Sequence, residues 1–311
     1  MTIEISYIFR RMLEILRHNR YLWLFAFLIA FSGAASQSYS LSFSSPIPRG
    51  FTAFSPWHKA GEKLTSFANL HLPLKVFLII VAVIIGLAML ALRAFAEGSA
   101  IGGVADLEAE RPSGIRSAAR HGWAAFFRYI AIVVLYAILS AALSVPSVLY
   151  VNAFKNSRQF VLPCLGGIVL GVGFIIVVLF AGILVQLAER FVVLEGAAVF
   201  ASIGQAFNAF KDYWRDVLVT WAVVLGINVA SLIVSLIVLG IISWPFTWLF
   251  KVSYNHHSVP LASLAILAFF VLWGIVSVVI GAFALASNTT WTLSFLQIEP
   301  VALPTRSSKA F

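Results

Sequence analysis

Charge is missing from this chain where a conductor of ions or protons would keep it. Apolar stretches run at about 21–36, 74–96, 122–149, 164–188, 217–242 and 261–287, and none carries Lys, Arg, Asp or Glu at its centre. Ionisable side chains at membrane depth mark ion pathways and proton relays, so their scarcity weighs against those roles. Cysteine is nearly absent as well. Cys164 is the only one, which excludes an intrachain disulfide and a Cys-pair metal site, and leaves the redox compartment unmarked. Nucleophile and phosphate motifs are also missing: there is no G-x-S-x-G, no P-loop, no Gly-rich dinucleotide fingerprint and no carboxylate pair at membrane depth for acid–base work. The sequence therefore predicts no catalytic residues, no cofactor and no enzymatic activity. A basic patch on a soluble face is lacking too, so nucleic acid is not an expected partner.

What the chain does have is apolar surface, with 61% hydrophobic and 11% charged residues gathered into runs. A spanning helix needs about 20 predominantly apolar residues, because about 30 Å of hydrocarbon is crossed at about 1.5 Å per residue. The expected fold is therefore an all-α membrane protein, a single integral domain over 1–311 with six transmembrane helices. The first run is short. A basic segment before it and Gly33, Ala34, Ala35 and Ser36 after it resemble a signal peptide. The amphipathic leader containing Glu4 and Glu14 favours retention instead, as a short or tilted span.

Topology accounts for the net charge of +9. With six spans and both termini inside, the outer loops hold only Arg49, Lys59, Lys63, Lys75, Lys155, Arg158 and Lys251 of the 21 basic residues. That bias is the one expected for a multi-pass protein of a bacterial cytoplasmic (inner) membrane with cytoplasmic termini.

An internal repeat organises the middle of the chain. A shift of 87 residues places Leu107-Glu108 on Leu194-Glu195, Ala119 on Ala206, Phe126-Phe127-Arg128 on Tyr213-Trp214-Arg215, and Ile130 on Val217. The second copy predicts a helix at 195–211 with Val199, Ile203, Phe207 and Phe210 on one face and Ser202, Gln205 and Asn208 on the other, lying in the interface. The first copy, at 98–120, predicts a short helix through Ile101, Val104 and Leu107, a break at Pro112, and a second helix capped by Ser113. A fainter third copy at 3–18 shows the stripe Ile5, Ile8, Met12 and Ile15. An amphipathic interfacial elbow followed by a helix pair, three times over, is the expected architecture. Trp244–Pro260 reads as an outer loop with an aromatic belt, and Thr290–Phe311 as a tail beyond the last span.

Polar residues within the spans are few. Asn228 must find a partner in hydrocarbon, and with Ser231 and Ser235 it is expected to bond to a neighbouring helix, worth about 1 kcal/mol. Gly167 and Gly171, and Gly274 and Gly281, are expected at close helix contacts. Arg93 with Glu97, and Glu189 with Arg190, read as ion pairs that fix helix ends. Arg128 and Arg215, at matching repeat positions, are expected to contact lipid phosphate. Glu108 and Glu195 are expected in N-terminal helical turns, where a carboxylate opposes the helix dipole; with Asp106 they are also the bases a lipid-headgroup enzyme would use. His58, Glu62, His256 and His257 are the residues for a metal or pigment site, on weak spacing.

The run Ala188–Ala198 (AERFVVLEGAA), followed by Ala206, Tyr213-Trp214-Arg215 and a span, resembles the membrane domain of a group of bacterial polytopic proteins. That group includes the domain fused to some glycerophosphodiester phosphodiesterases. Residues 18–25 (HNRYLWLF) and 288–295 (NTTWTLSF) are similar to its opening and ending. The phosphodiesterase barrel has no counterpart here, so the resemblance implies a six-span fold with no catalytic residues to transfer. The function expected is a scaffold or accessory subunit that packs against membrane lipids and other membrane-protein subunits. A permease component of a transporter is the main rival, and a lipid-headgroup enzyme the third reading.

Overall fold

A computed structural model describes residues 4–33, 72–154, 161–256 and 259–298, and no strand occurs among them. In chain order the helices are α1 (Ile5–His18), α2 (Arg20–Gly33), α3 (Leu72–Glu108), α4 (Ile115–Phe154), α5 (Val161–Arg190), α6 (Val199–Asp212), α7 (Trp214–His256) and α8 (Val259–Ile298). Among the described residues, five helices are long and apolar enough to cross a membrane, in α3, α4, α5, α7 and α8; Arg20–Ser32 is apolar but shorter. The chain is thus an all-α, multi-pass membrane protein by the length and composition of its helices.

Several boundaries differ from expectation. The segment 98–108 is not a separate elbow: α3 is one helix of 37 residues, about 55 Å long. Nothing between Ala96 and Glu108 breaks it, since Gly98, Gly102 and Gly103 weaken a helix without stopping it. The stop comes where Glu110 adopts φ 52 and the Arg111 N–H turns back to the Asp106 carbonyl, just before Pro112. The next helix then runs without interruption from Ile115 through Phe154, so elbow and span are one piece. In the second copy the elbow is separate. There α5 passes into a π-helical turn, Phe191–Glu195, that Gly196 closes at φ 68; α6 follows and ends at Tyr213. The expected loop at 244–256 continues α7, and the expected tail from Thr290 continues α8, with Thr290, Trp291, Leu293 and Phe295 buried.

The amphipathic elbows pack differently from their stripes. In α1, Ile8, Met12 and Ile15 are buried while Ile5 is 45% exposed. In α6 the buried line is Ser202, Ala206 and Ala209, with Ile203 and Phe210 beside it, whereas Phe200 is 80% and Phe207 51% exposed. Small residues let the α6 backbone sit against the protein, Val199, Ile203 and Phe210 pack beside them, and Phe200 and Phe207 point away.

Two apolar clusters share α3 and α8. One joins Tyr129, Ile132, Leu187, Phe191, Trp291 and Phe295, the last meeting Phe191 ring to ring at 4.8 Å. The other joins Ile8, Met12, Leu22, Phe25, Val104 and Leu293. Both lie at one end of the bundle. Among the side chains described, burial begins at Ala94 in α3, stops after Ile132 in α4, begins at Ala181 in α5, stops after Ser231 in α7 and begins at Val276 in α8. These halves together form a single packed end, and among the described residues the other halves are mostly exposed. Close approach at the packed end depends on glycine. A Cβ on Gly122 would run into Ser99 Oγ and the Phe95 carbonyl, and one on Gly281 would sit 2.7 Å from the Ala26 carbonyl oxygen.

Candidate functional site

The polar residues of the packed end converge on a buried ionic cluster that α3, α4, α5 and α8 build together. On α3, Arg93 and Glu97 stand one turn apart and pair at 2.9 Å. On α4 the buried Tyr129 hydroxyl donates to Glu97 and also lies beside Glu189. On α5, Glu189 is 4% exposed and Arg190 fully enclosed, their charged atoms 3.7 Å apart. The Arg190 guanidinium donates from Nη1 to the Gln186 carbonyl, and to Gln186 Oε1 at 3.0 Å. Its Nη2 donates to Asn288 Oδ1 on α8 at 3.4 Å, and its plane lies 5.7 Å from the Trp291 ring centroid. The two sequence pairs thus become one group of two basic and two acidic side chains. Buried charge is tolerated where it is paired and hydrogen-bonded, and most polar atoms here meet that condition; Arg190 Nε has no partner among the described residues.

Around this cluster a second ring of polar contacts ties the N-terminal helices to the α3–α4 break. Glu108 accepts from the Tyr7 hydroxyl at 2.8 Å and from Arg11 Nε at 3.0 Å. The Glu108 hydrogen bond pushes the Tyr7 phenol above its ordinary pKa. Arg11 also pairs with Glu14 at 2.9 Å. Asp106 faces His121 at 3.1 Å, and the Tyr21 hydroxyl donates to Ser113 at 2.8 Å.

Glu108 and Glu195 are both misplaced by the N-terminal-turn expectation. Glu108 is the last residue of α3 and Glu195 the last of the π turn, so both sit at C-terminal ends. They remain there because each has a local partner: Arg11 and Tyr7 for Glu108, Gln205 at 3.5 Å for Glu195. Arg128 donates to the Gly196 carbonyl at 2.6 Å, and Arg215 lies over Trp214 at 5.3 Å. Both arginines are on the exposed surface, alongside Trp123 and Phe127 at 70% and 79% exposure.

Of the glycines, Gly281 abuts α2 and a Cβ on Gly167 would sit 3.6 Å from the Tyr150 ring, whereas one on Gly171 or Gly274 would meet nothing within 4 Å. Asn228 is exposed on α7 and makes no hydrogen bond with the described residues. His58, Glu62 and His257 lie outside the described residues, as does the His256 side chain. Among the described residues no group of three or more His, Cys, Asp or Glu stands close enough to hold a metal ion. A cavity of about 10 Å³ between α1, α7 and α8, beside Ile8, Thr220 and Ser294, has room for a water-sized group.

Sequence reading identified both halves of the ionic cluster but not their meeting, nor the roles of Tyr129 and Trp291. The only sequence signal for Tyr129 was its place beside Arg128 in the repeat. Comparison with family models, with curated proteins and with solved structures finds no match to the chain.

Proposed function

We propose that the chain is a non-enzymatic, polytopic membrane protein that serves as a scaffold or accessory subunit, packing against lipid and other membrane proteins. The observation that carries this reading is that, among the described residues, each long helix has a packed half and a half whose apolar side chains are mostly exposed. In the most apolar window of α3 none of the residues is buried, and in that of α8 only 28% are. Such surface is at home only in lipid or against other transmembrane helices. The ionic cluster supports the same reading, because its groups are spent on one another and on joining four helices.

Within this proposal α2 completes a six-span bundle, the chain holds three repeat units of which the middle one has its elbow merged into α3 and α4, and both termini lie on the cytoplasmic side of a bacterial inner membrane. Arg128 and Arg215 meet lipid phosphate at the level of Trp123, Phe127 and Trp214, where basic and aromatic side chains favour the headgroups. The likeness of residues 188–198 and 288–295 to the membrane domain fused to some glycerophosphodiester phosphodiesterases supports grouping the chain with those polytopic proteins. Gentle detergent extraction followed by identification of co-purifying proteins tests the proposal. Stable membrane-protein partners are expected. A chain that emerges alone and moves a solute across vesicle membranes would replace the scaffold with the permease reading.

A further inference from the structure

The strongest unassigned feature is the outward side of α7. Its buried face is the line Val217, Thr220, Val224 and Ser231. About a quarter turn away runs a second line, Leu218, Trp221, Leu225, Asn228, Leu232 and Ser235, with spacings of three and four residues over nearly three heptads. Alternating three- and four-residue spacing is the pattern of a helix–helix seam that supercoils left-handedly. Leu218, Leu225 and Leu232 occupy one set of its positions and are 37%, 45% and 44% exposed. Trp221, Asn228 and Ser235 occupy the other.

Asn228 makes this seam more than an apolar stripe. It lies 14 residues from Trp214, which stacks with Arg215 and marks an interface; that is about 21 Å along the helix and inside a hydrocarbon core of about 30 Å. A carboxamide left alone at that depth keeps two donors and an acceptor unsatisfied, at a cost of a few kcal/mol. No described residue of the chain supplies a partner.

We propose that the partner is a second copy of this chain, packed along α7 about a two-fold axis near Asn228. A two-fold contact brings the same patch of each molecule together. The carboxamide is self-complementary, since each Asn228 can donate an N–H to the other's carbonyl oxygen, and the Ser235 hydroxyl likewise both donates and accepts. No charged residue lies on the seam between Leu218 and Ser235, so two copies meet without repulsion. The leucines alternate with the polar positions and fill the space between backbones, as in coiled coils where one buried Asn sets register and pairing. This deepens the scaffold reading by naming one partner, but it rests only on α7 crossing the bilayer.

The test uses the full chain in liposomes with Cys164 replaced by serine, and single cysteines introduced by Leu225→Cys, Leu232→Cys and, off the seam, Ile233→Cys. Ile233 is 53% exposed, so access to it is not at issue. Oxidation is expected to give covalent dimers at 225 and 232 and few at 233. In parallel, energy transfer between differently labelled copies, followed as lipid is added, is expected to show an association that Asn228→Leu weakens about threefold to tenfold. Equal cross-linking at all three positions, cross-links only to a different protein, a monomer at every lipid dilution, or an association untouched by Asn228→Leu would each overturn the proposal. Failure to co-purify other subunits bears on the scaffold role alone and leaves these readouts intact.

Discussion

The two ends of the bundle are made of the same helices and behave as different materials. At the packed end small and polar residues, Ala94, Ala96, Ser99, Ala100, Ala118 and Ala125 with Glu97, Glu189 and Arg190, are interleaved with buried Ile101, Tyr129, Leu187 and Phe295. At the other end the same helices expose Phe77, Ile80, Ile84, Leu139, Leu149, Ile168 and Ile237. In water the second set would collapse together and the first would stay open. In lipid the preference reverses, because a large aliphatic side chain gains little by leaving one hydrocarbon surrounding for another, whereas backbones that approach closely gain dispersion and polar groups gain partners. Close packing in these helices therefore goes with small and polar residues set among the apolar ones, and the halves that lack them stay exposed.

Substitutions can break or sharpen that contrast. The largest effect is expected from Arg190→Ala, which strands the buried Glu189 carboxylate and should cost about 3–5 kcal/mol; unfolding in mixed detergent, followed by tryptophan fluorescence, would read it, and a loss under about 1 kcal/mol would mean the cluster carries little of the fold. Gly281→Val comes next. Its added Cβ meets the Ala26 backbone, which cannot swing aside, so the same unfolding assay should show a loss of about 1–3 kcal/mol and looser α2 packing.

Arg11→Ala removes a partly exposed tie between α1 and α3 and should cost about 0.2–1 kcal/mol. The distinctive readout is salt: the difference between variant and parent should shrink as ionic strength rises, and amide exchange should accelerate in α1 before the other helices. The smallest effect is expected from Gly171→Ala and Gly274→Ala, where nothing lies within 4 Å. Each should be neutral or stabilise by up to about 1 kcal/mol through helix propensity. A clear loss at either position would show that the far halves are packed against something after all, and would remove the distinction between the ends.

Much of the helical content was legible in the sequence, because hydrocarbon forces the backbone to satisfy itself and apolar runs of sufficient length have few alternatives. The break near Pro112 and three of the four stripe residues, Ile8, Met12 and Ile15 but not the exposed Ile5, were read correctly for local reasons, φ restriction and helical period. Boundaries were harder. The end of a hydropathy run at Ala96 or Ser287 is not the end of a helix, since the turns that follow are buried against neighbours the sequence does not name. The face of α6 was only half legible for the same reason: periodicity showed which residues are apolar, but its apolar side was wide enough to serve both the protein and its surroundings. The ionic cluster was visible as two local pairs. Their union needed the crossing of α3, α4, α5 and α8.

Composition and pattern alone determined that the described part of this chain is helical and multi-pass, because long uncharged runs have one stable form in a bilayer and the backbone must bond within each run. Only the tertiary structure decided which ends of those runs pack, which charges share a burial site and which polar side chain is left facing outward. Those outcomes depend on contacts between residues far apart in the chain, Glu97 with Tyr129, Arg190 with Asn288, Gly281 with Ala26. No periodicity within a single helix encodes them, since each is a property of two surfaces meeting.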